Sequence, residues 1–392
     1  MLSGRERMLR TIYREEPDRV PVFEPYGVHP PTADVVLGRP CIATDARRKV
    51  RLLASGKVAE LAKGLATDHY ELVKKLKFDA GVMAIPPAGD GEAFSSPKMI
   101  DENSWVNGDG KVFRMRDGGI PYEADSPLVR GSMIAFEEHI KKLEELRLTE
   151  WEEQLAPGFH EYEMNLGKRW RRLDVMVYTE VNGPAVPPYG GWYPLYLMCF
   201  HVRPDLMRRY LKRNLDLVLT YGKMAIDFGA ELIFAGGDIA DNHGPMLHPQ
   251  HYREFLLPMT RKITDEFHKR GAFVFNSSDG NLWPIADDYL VNSNVDGLME
   301  IQVTAGMDLR RLKDLYGHRL CFNGTVDSQH TLVMGTPEQA AYETKQAIEI
   351  LSPGGGHILS SSNSIHPGVK PQNYFSMLDS VRRFGKYPVR NM

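Results

Sequence analysis

Asp238, Asp241 and His243 fall together in Asp238-Ile239-Ala240-Asp241-Asn242-His243, just past the apolar run Leu232-Ile233-Phe234-Ala235. Two carboxylates and an imidazole on one loop can ligate a metal. Oxygen-rich sets suit magnesium or calcium, and mixed His–carboxylate sets suit zinc or iron. A loop closed by its own hydrogen bonds explains the same residues, so the metal stays open. Other polar residues follow other short apolar runs in the same way. Glu180 comes after Val175-Met176-Val177-Tyr178, and Asp279 with Asn281 after Phe273-Val274-Phe275. Glu300 follows Gly297-Leu298-Met299, Asn323 follows Leu320-Cys321-Phe322, and Asn363 with His366 follows His357-Ile358-Leu359. Solvation of loops accounts for any one of these residues. Their repetition at one structural position points to a polar pocket for a small molecule. Asp238, Asp279 and Glu300 are the candidate catalytic acids, because a carboxyl kept neutral by apolar neighbours can donate a proton near neutral pH. Tyr178, Glu180, Trp192, Tyr193, Asn281, Asn323, Asn363 and His366 are the candidate substrate contacts. The rings would stack on an aromatic substrate and the amides would orient it.

The elements that must position these residues can be read from about Leu173 onward. The apolar runs named above are strands. Between them, Pro204 opens an amphipathic helix that runs to Phe228, and Pro249 opens another that Pro258 should kink. Leu282–Leu290 and Leu309–Tyr316 read as helices. Thr336-Pro337 supplies an N-cap and first helical residue for a helix to Leu351, and Pro371–Phe384 is the last helix. The first 170 residues are less regular. Val20-Pro21-Val22-Phe23 and Phe78–Met83 read as short strands, with helix near Asp45–Gly64. Trp105 to Tyr122 reads as strand, turn, strand around Asn107-Gly108-Asp109-Gly110. Ile134 to Gln154 reads as a charged helix.

Alternation of strands and helices predicts an α/β fold with parallel strands and helical crossovers. A doubly wound sheet and a (β/α)8 TIM barrel both satisfy it. The barrel is favoured because no glycine-rich dinucleotide fingerprint follows any strand, and because barrel active sites gather at the C-terminal strand ends. The expected organisation is one barrel domain over residues 1–392, with an elaborated N-terminal region carrying a hairpin and helix around 85–170.

The whole-chain figures narrow the class. Lys and Arg total 48 against 51 Asp and Glu, a net charge of −3, so no basic excess calls for nucleic acid or an anionic membrane. No apolar run reaches a membrane span. Cys41, Cys199 and Cys321 lie far apart, which fits reduced thiols in a cytoplasmic protein and gives no disulfide framework.

Four stretches together resemble the uroporphyrinogen decarboxylase superfamily. They are Arg5–Met8 with Pro17–Pro21; Asp279-Gly280-Asn281; Ala305–Leu309 with Asn323-Gly324-Thr325-Val326-Asp327 and Gly335-Thr336-Pro337-Glu338; and Gly355–His357 with His366-Pro367 and Pro371-Gln372-Asn373. The superfamily includes the decarboxylase and barrel methyltransferases that exchange methyl groups with corrinoid proteins or thiols. The resemblance implies a barrel and allows a homodimer. The decarboxylase grips its substrate's many carboxylates with an arginine-rich segment after the first strand. Here that place reads Phe23-Glu24-Pro25-Tyr26-Gly27-Val28-His29, with no arginine, and Glu24 would repel such a substrate. The thiol-activating branch holds zinc with His, Cys and Cys at positions that fall on Ser277, Asp279 and near Asn363, none of them a thiolate or imidazole. The resemblance therefore implies transfer of a methyl group from a small methylated substrate, such as a methoxylated aromatic, to corrinoid (cobalamin) carried by a partner protein. Decarboxylation of a tetrapyrrole or smaller aromatic acid is the alternative.

Overall fold

A computed structural model describes residues 2–85, 97–116, 119, 121–183 and 191–389. Eleven strands lie among them. They are β1 (Ala80–Val82), β2 (Lys98–Met99), β3 (Ser104–Val106), β4 (Val112–Met115), β5 (Pro121–Asp125) and β6 (Met176–Asn182). The rest are β7 (Leu232–Gly236), β8 (Phe273–Ser277), β9 (Gly297–Met299), β10 (Cys321–Asn323) and β11 (His357–Ile358). Seven form one curled parallel sheet in the order β1-β6-β7-β8-β9-β10-β11, so each strand lies beside its neighbour in the chain order of the sheet. Helical crossovers permit that order.

Both edges of this sheet meet the N-terminal segment around Val22. Val22 bridges Leu359 in parallel, and the Leu359 amide donates to Pro21 O at 2.9 Å. On the other side the Asp79 amide donates to Val22 O at 2.9 Å. Asp79 itself accepts from Arg7, Arg19 and the Val22 amide, which pins this segment to the start of β1. The sheet interior is aromatic: Phe23 stacks on Phe234 and tilts against Tyr178, and Phe234 meets Phe275 edge-on. Each buried ring contributes roughly 1.5–3 kcal/mol of burial.

The hairpin expected in the N-terminal half is larger than the sequence indicates. Strands β2 to β5 form a separate four-stranded antiparallel sheet. Its central turn is the expected one, with the Gly110 amide bonded to Asn107 O. Two helices, Met133–Glu145 and Leu148–Tyr162, replace the single helix expected over 134–154. Leu146 is extended between them, so the regular apolar spacing conceals a break. Pro258 acts as expected: the helix begun at Pro249 passes through a π-turn at Tyr252–Leu256 and resumes at Leu257. Thr336 caps Pro337–Leu351 in a full capping box with Gln339. No helix among the described residues is long and apolar enough to cross a membrane.

Candidate functional site

Parallel strands place all their C-terminal ends on one side, and the expected polar residues follow those ends. The centre is Glu300, the residue after β9. It is buried, at 6% exposure, and its φ of +66° is left-handed. A non-glycine residue held there costs roughly 1–3 kcal/mol, so the surroundings must enforce it. Three side chains do so. Ser277, at the end of β8, donates to Glu300 Oε2 at 2.6 Å. Tyr26 OH lies 2.5 Å from the same Ser277 Oγ, which can accept from the phenol while donating to the acid. Asn363 Nδ2 donates to Glu300 Oε1 at 2.9 Å.

Two aspartates face this acid from the neighbouring loops. The Asp279 amide donates to the Asp238 carboxylate. Gly280 makes this approach possible. Its φ is +82°, and a Cβ there would come within 2.6 Å of Ala240 C and 2.7 Å of Asp241 O. The Asn281 amide then closes the loop pair on Asp241 O at 2.7 Å.

The electrostatics follow from crowding acids at one set of strand ends, with Glu300 buried, Asp279 half-buried and Asp238 and Glu180 open to solvent. Burial, then repulsion from Asp238, pushes Asp279 up to about 6. Burial raises Asp238 as well, although its side chain reaches solvent at the mouth. Glu300 is raised well above the carboxylate range by burial and then by Asp238, with a further push from Asp279. Glu180 rises to about 6, through burial and then Asp238. The same crowding thus holds each of these carboxyls above the ordinary carboxylate range.

A fifth acid lies deeper. Glu24 is 2% exposed and accepts from the Ser361 hydroxyl at 2.7 Å and more weakly from its amide. Burial pushes it up to about 8, against those hydrogen bonds. Among the described residues none of the five acids is held by a Lys, Arg or His side chain. Ser277 and Ser361 lie at strand ends, where polar residues were expected to collect, and they act as hydrogen-bond donors to the acids. Glu24 and Tyr26 were not among the residues expected to carry chemistry, and their only signal was that they follow Val20–Phe23, a strand too short to stand out.

The other expected residues divide. Asn363 and Glu180 join the acid cluster. Tyr193 reaches it through its hydroxyl, which donates to Asp238 O at 3.1 Å. Tyr178 is buried with its hydroxyl on Glu24 O and Pro25 O, so it holds the turn after Phe23 and has no free face for stacking. Trp192 is likewise no stacking platform: it is 4% exposed and packs among Phe136, His139, Tyr196 and Tyr210. Tyr189, close by in the same Tyr189-Gly190-Gly191-Trp192-Tyr193 stretch, lies outside the described residues. Asn281 turns its carbonyl back to the Trp283 amide. Asn323 is fully buried, donating to Ile358 O. His366 has both ring nitrogens engaged, with Ser328 O and the Gly368 amide.

The metal set is corrected. Among the described residues no three or more His, Cys, Asp or Glu side chains assemble to hold a metal ion. The Asp241 carboxylate instead accepts the His243 and Gly244 amides at 2.7 and 3.1 Å, closing its own turn. Ser277, Asp279 and Asn363 do meet around Glu300, but they provide no thiolate or imidazole for zinc.

Comparison with known proteins agrees with the motifs. Residues 192–384 match the family model described as uroporphyrinogen decarboxylase (URO-D). The uroporphyrinogen decarboxylase of Aromatoleum aromaticum (strain DSM 19018 / LMG 30748 / EbN1) is 24% identical over 191 residues, covering 47% of this chain and 50% of that protein. That of Shewanella halifaxensis (strain HAW-EB4) is 28% identical over 184 residues, covering 45% and 48%. The chain thus matches about half the length of these curated relatives. A solved methyltransferase from Methanosarcina mazei superposes with a TM-score of 0.66 at 19% identity, over 98% of this chain and 99% of that one. At that identity the likeness concerns the fold.

Proposed function

We propose that this chain, related to the uroporphyrinogen decarboxylase superfamily through residues 192–384, is a methyltransferase. Its substrate is a small methylated molecule, a methoxylated aromatic, and the acceptor is corrinoid on a partner protein. The reading takes residues 1–392 as one (β/α)8 barrel in which the segment around Val22 fills the eighth strand position, with β2–β5 and the helices after them as an elaboration. The observation that carries it is the gathering of Asp238, Asp279, Glu300 and Glu180 at neighbouring strand ends, with no Lys, Arg or His side chain among the described residues holding any of them.

Such a set suits one chemical need. An aryl methyl ether gives up its methyl group readily only if the departing oxygen is protonated or bound to a Lewis acid. Cob(I)alamin on the partner would supply the nucleophile. The chain supplies the proton: Asp238 and Asp279, both raised above the ordinary carboxylate range, are its nearest sources, with Glu300 beside them. As the methyl–oxygen bond breaks, a carboxyl proton moves to that oxygen and a phenol leaves. Asn363 and Ser277 keep the Glu300 carboxyl in one orientation, so little reorganisation is needed at that step. A polycarboxylate substrate would find no cation beside these acids, among the described residues, to offset the desolvation of its charges.

The test is methyl transfer to cob(I)alamin with methoxylated aromatics, comparing the wild type with Asp238→Asn, Asp279→Asn and Glu300→Gln. Transfer that survives all three substitutions defeats the assignment. Names of the curated relatives favour a second reading, decarboxylation of an aromatic acid, in which a carboxyl protonates the ring. Carbon dioxide release from candidate acids, without methyl transfer, would favour it.

A further inference from the structure

Behind Glu300 a row of hydrogen bonds runs back to Glu24, and one hydroxyl in it has two acceptors. Gly324, at a φ of +85°, brings the strand ends together: a Cβ there would lie 3.1 Å from Glu300 N and 3.2 Å from Ser361 O. Val326 bridges Ser361 in parallel, and the Ser362 amide donates to Val326 O at 2.7 Å, so the backbone that carries Ser361 is fixed to the strand before it. In the turn that follows, Asn363 Oδ1 accepts from the Ser364 amide at 2.7 Å, which leaves Nδ2 to donate to Glu300 Oε1 at 2.9 Å. The Ser361 hydroxyl lies within hydrogen-bond reach of both Asn363 O and Glu24 Oε2, the latter at 2.7 Å.

A serine hydroxyl carries a single proton, so it donates to one of these acceptors at a time. Glu24 decides which. A neutral Glu24 carries its own O–H, which donates to Ser361 Oγ and leaves the serine proton for Asn363 O. An ionised Glu24 can only accept, and a charged acceptor outcompetes a backbone carbonyl. Asn363 O then loses its only donor among the described residues. Burial pushes Glu24 up to about 8, so both of its forms lie within an ordinary working range of pH. The titratable groups facing Glu24 are Tyr178 and Tyr374, and burial raises both phenols, which stay neutral. Those facing Glu300 are Asp238, Asp279, Tyr26 and Tyr289.

We propose that Ser361 is a positioning residue for Glu300, acting through Asn363, and that Glu24 sets it. With the serine proton on Asn363 O, the turn is closed and Asn363 Nδ2 is held on Glu300. With that proton drawn to an ionised Glu24, the turn loosens and the bond to Glu300 weakens. The Asn363 bond favours the ionised form of Glu300, so its weakening makes Glu300 hold its proton to higher pH. The bearing of this relay on the reaction rests on reading Glu300 as an acid of methyl transfer, but its test needs no substrate.

The test is carboxyl NMR of glutamate-labelled protein, following Glu300 against pH, with its signal assigned by its loss in Glu300→Gln. Wild type, Glu24→Gln, Ser361→Ala and the double variant are compared. The Gln amide can donate to Ser361 Oγ as the neutral acid does, and it has no ionised form. With Ser361 in place, Glu24→Gln should lower the Glu300 midpoint by about one pH unit. In the Ser361→Ala background the same change should have less than half that effect. A shift of half or more in that background would show plain repulsion between the two acids and overturn the relay. No shift with Ser361 in place would also overturn it. The other groups facing Glu300 are common to all four proteins and cancel. Should Ser361→Ala fold poorly, Ser361→Cys, with its weak S–H donor, serves in its place. The expected shifts without any methyl transfer would leave the positioning role standing and defeat only the reaction.

Discussion

Ser277 donates its hydroxyl to Glu300 across the ends of two adjacent strands, at 2.6 Å, and Glu300 holds a left-handed backbone to receive it. Two strands that need only backbone pairing for their stability are thus tied by a side-chain bond at a strained residue. Strain and a buried acid at one point are where chemistry is expected.

Glu300→Gln keeps the shape and can still accept from Ser277, yet it cannot release or take up a proton. We expect methyl transfer to fall by ~10²–10⁴-fold, with a thermal midpoint within a few degrees of wild type. Steady-state rates alongside a melting curve decide it. Wild-type activity would mean that Glu300 is a structural acid only.

Ser277→Ala removes a hydrogen bond that favours the ionised form of Glu300. The acid should then hold its proton to higher pH. The alkaline limb of kcat/KM is expected to move upward in pH while the maximum rate drops. An unmoved limb would show that Glu300 does not set it.

Glu24→Gln tests the deep acid through stability. The folded value, about 8, lies above the ordinary carboxyl value of 4.5. The folded state therefore binds this proton more tightly, and stability falls as pH rises from the unfolded value through the folded one. The amide has no such dependence. Between about pH 5 and about pH 9, stability should shift in favour of the variant by ~2–5 kcal/mol. Denaturant melts at both pH values measure it, and parallel changes in the two proteins would refute the buried ionisation.

Gly280→Ala puts a methyl group against the Ala240 and Asp241 backbone at a φ of +82°. We expect a loss of about 1–3 kcal/mol. Because the two loops must separate, repulsion from Asp238 should weaken and Asp279, pushed up to about 6, should lose its proton at lower pH, which carboxyl NMR can follow.

The strand–helix alternation was legible because each apolar run and each helix boundary is a local signal. Thr336 with Pro337, Leu309–Tyr316 and Pro371–Phe384 form where their residues dictate. The acids were legible as strand-end residues for the same reason. Trp192 was misjudged as a stacking face because an aromatic side chain reads alike whether its ring meets ligand or Tyr210. The Asp241 and His243 pair stayed open between metal ligand and closed turn because the two share composition, and the Asp241 carboxylate closes its own turn.

By itself the sequence determined the order of elements, the side of the sheet on which polar residues collect and the match of residues 192–384 to the uroporphyrinogen decarboxylase family model. Tertiary structure decided which of those residues share protons. Tyr26 meets Ser277 across 251 positions, and Glu24 meets Ser361 across 337. Contacts that remote depend on how the sheet curls and where the segment around Val22 lies between its edges. Burial, which decides whether a carboxyl keeps its proton, arises only from that assembly.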